Sequence, residues 1–592
     1  MTGQPMKSGL YGLFSLNGAP IDPADRAVFV AAMGDSAGQE TAGAAGRAVD
    51  PLFPAAAQVD QTKDDLFLFA GFLDEPEELA AQLGLARSAP TTVLVRAAIK
   101  RWGDDAPTEL LGEWSCAWWQ NEARELTLMM SRHARDSLYF AVKGGKIALA
   151  PDARWLRRFG WVDSTIDPEG LLFRLSRANI RRMGSDRSLI RGARKVGLGT
   201  RVVLGMDRQI SGRQAPLKLP PKWQGSFDDA MVATETLLRR MMRQKCERQG
   251  RMAFLISGGL DSSLLTWLGA TERGFDQDMI LLTSATAPDS GFADESGFAQ
   301  IVADHLGLPL ERIVPPAQPS VYRPPVHWFE ANSDSPAATH QYLYDSFYQA
   351  ALGFGASTVI DGLYGEMTMT HPFPLASFGK SVKDRLRAIR TLLRPPPPSQ
   401  DSWPQSGFHI RLSGQALAAI PESFAQAWHH APGQLPPRKP GDRWGYSPGI
   451  GKLGDMTTES VPGMLRHDVP FRDERLLTLF ASFPAGYAEQ GGLDRAPARA
   501  LLKGNLPDAI SMRAKGMVFS PDYYQRLQAQ AGEALDRIPA FLAAGVDQWI
   551  DLDWLRQSLE NTRDDGAKNY HDAYLINTTA TASEFLTWWQ HG

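Results

Sequence analysis

The sequence predicts an α+β first domain followed by an α/β second domain built on a parallel sheet, with a helical carboxyl-terminal part. Three observations carry this. Short alternating apolar runs fill the chain up to residue 213, strands and helices alternate beyond a proline-rich junction, and a glycine loop, SGGLDSS, closes an apolar strand and opens a helix.

In the first segment the runs LYGLFSL, DLFLFAGFL, LTLMMS, KIALAP and TRVVL are separated by glycine, proline or charged residues. Period-two alternation suits strands half-buried in a mostly antiparallel sheet. PEELAAQLGL from Pro76 and TTVLVRAAIKRWG from Thr91 carry apolar residues at three- and four-residue spacing and are expected as helices.

APLKLPPKW, at residues 215–223, holds three prolines with little periodicity and reads as a linker. Domains are therefore expected at 1–214 and 223–592. Beyond the linker come a helix over 226–248, a strand RMAFLI, a helix after the glycine loop, a strand DMILLTSAT, a helix ESGFAQIVADHLG and a strand STVIDG near Val359. Strands alternating with helices imply a parallel sheet covered on both faces. RPPPPSQ, at 394–400, is excluded from helix and central strand because proline removes backbone donors. Just upstream, Lys380, Lys383, Arg385, Arg387, Arg390 and Arg394 gather on one expected helix, either a solvated basic face or a dock for an acidic peptide or protein.

Composition narrows the class. A chain of 592 residues accommodates two or three domains, and 43% hydrophobic with 22% charged residues excludes fibrous, disordered and disulfide-rich classes. A net charge of −4 gives no drive toward nucleic acid. Cys116 and Cys246 stand apart with no CxxC pattern, so they are expected as buried apolar residues rather than a disulfide or zinc site. The first residues lack a signal-like apolar core, and LFLFAGFL is far too short to span a bilayer. The expectation is a cytoplasmic protein with neither nucleic-acid nor membrane partners.

The loop at residues 257–263 carries the chemistry. Gly258 and Gly259 have no side chains, which lets backbone N–H groups approach phosphate oxygens while the following helix aims its positive end at them. Ser257 and Ser262 add hydroxyl donors. Asp261 is unsuited to phosphate but suited to the Mg2+ that accompanies ATP. No Walker loop occurs, and GIGKLG, at 449–454, fits a dinucleotide pattern without the preceding strand that pattern needs.

SGGLDSS resembles the pyrophosphatase loop of N-type ATP pyrophosphatases, and its flanks resemble the asparagine synthetase superfamily. ADESGFAQIVADHLGLP from Ala293 resembles the family's acidic helix. STVIDGLYGE from Ser357 resembles SGxGxDE, DVPFRDERLL from Asp468 resembles RxPFLDxxL, and LPDAISMRAKGM from Leu506 resembles LPxxIxxRxKxG. In the first domain GFLDEPEELA, ELLGEWSCAWWQ and SRHARDSLYF resemble the glutamine amidotransferase-like, Ntn-hydrolase-like half of the family. There the nucleophilic cysteine of CGIxG is matched by Ser8 of SGLYG, with seven residues before it. Neither thiol nor free terminal amine is then on hand, so the resemblance implies a degenerate domain without glutaminase activity.

Among branches that lost this activity are β-lactam synthetases, carbapenam synthetase and lasso-peptide cyclases; the chain is most similar to the last. The resemblance implies ATP held by Ser257, Gly258, Gly259, Asp261, Ser262, Gly362, Arg495 and Arg499, with Mg2+ shared by Asp261 and Glu366. It implies Lys515, Arg513 and Glu366 as catalytic residues, with Lys515 stabilising charge at the α-phosphate. Asp361 replaces the family's serine and is a candidate base or a structural residue; Tyr364 is likewise open. Arg466 and Asp468 have exchanged the family's signs, as a salt bridge or as a changed pocket. The implied reaction is adenylation of an Asp or Glu side chain of a leader-cleaved precursor peptide and closure by its N-terminal amine, with a leader peptidase as partner. The alternatives are a small-molecule β-lactam or asparagine-type synthetase, and a non-catalytic scaffold binding ATP and peptide.

Overall fold

The computed structural model describes residues 9–33, 49–50, 57–61, 65–134, 137–177, 180, 185–206, 208–214, 220–248, 250–274, 278–286, 294–331, 333, 336, 338–371, 403–430, 465–514, 520 and 522–591. The chain divides into two compact units: residues 1–174 with 184–218 make most of the first, and residues 175–183 with 219–453 and 458–592 make the second. The basic stretch 380–394, the proline run and GIGKLG lie outside the described residues.

The first unit contains β1 (Gly12–Ser15), β2 (Val49–Asp50), β3 (Ala57–Gln61), β4 (Asp65–Leu73), β5 (Gly112–Gln120), β6 (Glu125–Met130), β7 (Tyr139–Lys143), β8 (Lys146–Ala150), β9 (Arg194–Lys195), β10 (Thr200–Gly205) and β11 (Arg208–Gln214), with helices α1 (Pro23–Met33), α2 (Pro76–Leu83) and α3 (Thr91–Trp102). Two antiparallel sheets run β2-β1-β8-β7-β9 and β11-β10-β6-β5-β4-β3.

Strand β4 explains how they stack. Its alternate residues Leu66, Leu68 and Ala70 enter a core with Phe14, Phe140, Ile147 and Leu149 of the other sheet. Phe67, Phe69 and Leu73 face the opposite way, onto Leu79 of α2 and Leu94, Val95 and Ile99 of α3. Period two thus sends one strand into two cores. Strand β5, not read as a strand from the sequence, divides the same way: Ala117 and Trp119 join the first core, Trp114, Cys116 and Trp118 the second. The stack of two antiparallel sheets with helices outside is the Ntn-hydrolase-like arrangement expected of this half.

The second unit is built on β12 (Met252–Leu255), β13 (Met279–Ser284), β14 (Leu310–Ile313), β15 (Thr358–Ile360) and β16 (Arg466–Asp468). They form one parallel sheet in the order β14-β13-β12-β15-β16. Its helices include α4 (Phe227–Arg248), α5 (Leu260–Arg273), α6 (Ser296–Leu306), α7 (Gln341–Phe354), α8 (Ala496–Leu502), α9 (Tyr523–Leu535), α10 (Leu552–Asp565) and α11 (Tyr570–His591). Met241, Met242, Phe254, Leu264, Leu268, Leu281, Val302 and Leu502 share one core between sheet and helices. Cys116 and Cys246 are both buried and form no disulfide, as expected of small apolar residues.

The helical carboxyl-terminal part is held by polar contacts as well as by the apolar burial of Ile576, Phe585, Leu586 and Trp589. Helix α11 buries Asn577, Thr578, Thr579, Thr581 and Ser583, which composition alone assigns to a surface. Each finds a partner, as buried polar groups must: Asn577 donates to the Val321 carbonyl at 2.7 Å, Thr579 accepts from the Arg411 amide at 3.0 Å, and Thr581 bonds both backbone groups of Ala338 at 3.1 Å. The helix thereby stitches loops at 321, 338 and 411 together and sets the start of α7. Among the described residues no helix is long and apolar enough to cross a membrane.

Candidate active site

Strand β12 lies between β13 and β15, and the chain leaves β12 and β15 toward opposite sides of the sheet. Such a reversal opens a crevice at the carboxyl ends of the two strands, where open α/β sheets take their ligands. SGGLDSS follows β12 and DGLYGE follows β15. Phe254 and Ile360 are register partners, so the two loops leave the sheet side by side.

The first loop is shaped by its own hydroxyls. Ser262 Oγ accepts from the Ser257 amide at 3.2 Å and donates to the Gly259 carbonyl at 3.3 Å, while Ser257 Oγ accepts from the Gly259 amide at 3.2 Å. Gly258 has φ +64, and a Cβ there would fall 2.4 Å from Cβ of Phe298 on α6, so only glycine fits. Gly259 is the N-cap of α5 without a side-chain cap, which leaves the first-turn amides of a 14-residue helix facing the loop.

The second loop, residues 361–370, closes on Asp261. Thr370 Oγ1 lies 2.8 Å from each carboxylate oxygen of Asp261. Gly365 packs so near that a Cβ would sit 1.8 Å from Asp261 Oδ1, and a Cβ at Gly362 would sit 2.8 Å from the Ser262 amide nitrogen. Tyr364 between them holds φ +69 and packs against the unit's core, and Glu366 is exposed. Asp261, Ser262, Gly362 and Glu366, predicted as one site from segments a hundred residues apart, are therefore brought together; Gly365 and Thr370 join them.

Electrostatics fits a cation here. Burial raises the Asp261 carboxyl to about 7; the Thr370 hydroxyl lowers it, the Glu366 charge raises it and the Arg495 charge lowers it. A buried carboxylate with a second carboxylate's charge beside it is relieved by a divalent ion. Magnesium characteristically takes one or two protein carboxylates and completes its shell with phosphate oxygens and water. Asp261 and Glu366 match that need.

The cations divide by role. Arg495, at the start of α8 with φ +57, is, among the described residues, the cation whose charge lowers Asp261. Arg499 is buried and donates to the carbonyls of Asp494 at 2.8 Å, Ser511 at 2.8 Å and Arg513 at 3.1 Å, so it braces the segment that carries Arg513. Arg513 in turn donates to the Ser257 carbonyl at 2.9 Å and to Glu295 at 2.8 Å, with its guanidinium 3.7 Å over the Phe298 ring. It clamps the glycine loop to α6. Lys515 lies outside the described residues, as does Ser8.

Behind the second loop is a buried network that sequence reasoning missed apart from Asp361. Asp361 accepts from the Leu363 amide at 3.1 Å, from Tyr344 of α7 at 3.1 Å and from His467 Nε2 of β16 at 3.2 Å; His467 Nδ1 lies 3.1 Å from the Tyr348 hydroxyl. Asp468 pairs at 2.7 Å with Lys245 of α4, an ionic partner more than two hundred residues away in the chain. Only the order of residues around 466–468 hinted at it.

Known families match both units. The asparagine synthase model matches residues 233–346 and 465–590, and the glutamine amidotransferase domain model matches residues 57–158. No curated protein matches the chain. Among solved structures, glutamine phosphoribosylpyrophosphate amidotransferase from B. subtilis is 11% identical, with 57% of this chain and 75% of that one covered at a TM-score of 0.19. A structure titled as the allosteric regulatory enzyme of purine biosynthesis is 11% identical, with 64% and 91% covered at a TM-score of 0.25. Both likenesses are remote.

Proposed function

The two matched domains support the asparagine synthetase superfamily of ATP-dependent amide ligases, and on that premise we propose that this chain is an AMP-forming macrolactam synthetase of the lasso-peptide cyclase kind. The observation that carries the ATP chemistry is the meeting of Asp261 with the Gly365–Glu366 turn at the mouth of the glycine loop. The peptide acceptor is supported by Ser8, which stands where glutamine-dependent relatives carry a thiol, so the attacking amine comes from the substrate or another small molecule rather than from glutamine.

The reaction has two steps. A side-chain carboxylate of an Asp or Glu in a leader-cleaved precursor peptide attacks the α-phosphorus of ATP; the P–O bond to pyrophosphate breaks, giving an acyl-adenylate. The peptide's N-terminal amine then attacks the acyl carbon, losing a proton, and AMP departs to leave an isopeptide bond. The Ser257–Ser262 loop receives the phosphates through backbone amides and hydroxyls, and Arg513 holds that loop in shape. Asp261 and Glu366 would hold Mg2+, which when bound would offset charge on the departing pyrophosphate. Lys515 answers the negative charge at the α-phosphate. Enclosing carboxylate and amine in one molecule makes the second step unimolecular, a large rate advantage over a free amine.

The test uses the purified chain, Mg-ATP, a leader peptidase and a precursor peptide bearing an Asp or Glu within reach of its new N-terminus. Mass spectrometry should show the core peptide losing one water, with AMP and pyrophosphate released in step. Pyrophosphate exchange driven by a β-amino acid and not by any peptide would instead select the β-lactam synthetase alternative.

A further inference from the structure

Residues 361–370 form a turn pinned at both ends. At its exit Thr370 holds Asp261. At its entrance Asp361 holds three donors from three sources: the turn itself through Leu363, helix α7 through Tyr344, and strand β16 through His467. The Asp361 amide adds a bond to the Asp468 carbonyl at 2.8 Å. Between these pins the tolerance is small, because Gly362 and Gly365 already touch Ser262 and Asp261 as closely as backbone allows.

A carboxylate buried to 7% exposure is expensive to desolvate unless donors surround it, and a neutral side chain would fill the place at less cost. What the charge adds is strong, directional bonding. His467, 4% exposed, is the donor that ties the turn to the neighbouring strand, and the Tyr348 hydroxyl on its other nitrogen fixes the ring's plane. A carboxylate only accepts, so Nε2 carries the proton and, in the neutral ring, Nδ1 accepts from Tyr348. This is the way a histidine's second nitrogen is used to orient groups near a metal, here one carboxylate removed from it.

We propose that His467 is a positioning residue for the metal–nucleotide site: through Asp361 it sets the turn that brings Gly365 and Glu366 against Asp261. The proposal rests on the ATP reading above. It separates His467 from Asp361 as a catalytic base, since both Asp361 oxygens are occupied by donors from the chain itself.

The experiment measures Mn2+ binding by electron paramagnetic resonance in the presence of α,β-methylene-ATP, for the full chain and for His467→Ala, His467→Gln and Tyr344→Phe, alongside each thermal midpoint. His467→Ala is expected to weaken Mn2+ binding about tenfold or more, the range typical of groups that orient metal ligands. His467→Gln, whose amide donates to Asp361, should recover most of it. Tyr344→Phe, which removes a different donor from the same carboxylate, should weaken binding in the same direction and keeps the test alive if His467→Ala fails to fold. Mn2+ binding unchanged in His467→Ala, or a loss in all three variants that merely tracks the thermal midpoint, overturns the proposal. A wild-type chain that binds no Mn2+ with the nucleotide overturns the ATP reading itself, and this inference falls with it.

Discussion

Gly365 stands against Asp261 with no room for a side chain: a Cβ would lie 1.8 Å from Oδ1 and 2.2 Å from Cγ. Gly365→Ala must therefore push the turn off the carboxylate, since neither backbone nor a hydrogen-bonded Asp261 yields cheaply. We expect ATP–pyrophosphate exchange to fall about a hundredfold, some 2.7 kcal/mol of transition-state stabilisation, with the fold kept. Exchange at wild-type rate would mean that the turn sits elsewhere during catalysis.

Asp261→Asn should abolish exchange and yet stabilise the metal-free chain at alkaline pH. The carboxyl is raised to about 7, first by burial, from a value near 4 in the unfolded chain. Between those values the folded state binds more protons, so metal-free stability is greatest below about pH 4, falls as pH rises toward 7 and is level above. Asparagine keeps an acceptor for Thr370 and removes the charge. Melting in a chelator at pH 8 should place the variant at or above the wild type, with the gap closing near pH 4; a variant melting lower at pH 8 would contradict the raised carboxyl.

Arg513→Ala should raise KM for ATP about tenfold by freeing the Ser257 carbonyl and Glu295 together. Arg513→Lys should recover little, because one ammonium cannot serve both acceptors and lacks the planar face that lies on Phe298. Nucleotide titration of the exchange rate separates the two variants, and an unaltered KM in both would show that the clamp does not shape the loop.

The Lys245–Asp468 pair joins α4 to the edge strand with both side chains mostly buried, at 12% and 2% exposure. Lys245→Met alone leaves a buried carboxylate without this partner and should cost about 3 kcal/mol. Adding Asp468→Leu should return much of that. A double variant no better than the single, by thermal midpoint, would show the pair contributes no coupling.

His340 caps α7 with φ +55 and is driven down to about 4 by burial, against the pull of Asp522, which raises it. The unfolded chain then binds more protons between pH 4 and 6.5, so stability is full above about 6.5 and is lost as pH falls toward 4, by about 3 kcal/mol at most. Asparagine tolerates the left-handed backbone. The midpoint of His340→Asn should therefore drop less than that of the wild type between pH 7 and 4.5; parallel curves would sink the assignment.

The strands β1, β4, β6, β8, β10, β12, β13 and β15 and the helices α2 to α6 were legible because period and punctuation are local properties. Strand β5 was not read as a strand, and β14 and β16 hid because four and three residues are too few to show a period. Helix α11 misleads by composition: its threonines are buried because three loops supply their partners.

By itself the sequence determined the two-part architecture and the glycine loop, since positive φ, helix starts and strand ends are written in short stretches of chain, while the pairing of Asp261 with Glu366 came from the family resemblance. Only the tertiary structure decided that Thr370 would hold Asp261 across 109 residues, that His467 would reach Asp361 across 106, and that Arg499 would brace Arg513 while Arg495 faced the carboxylate. Those contacts depend on which strands become neighbours in the sheet, and no local pattern of residues carries that information.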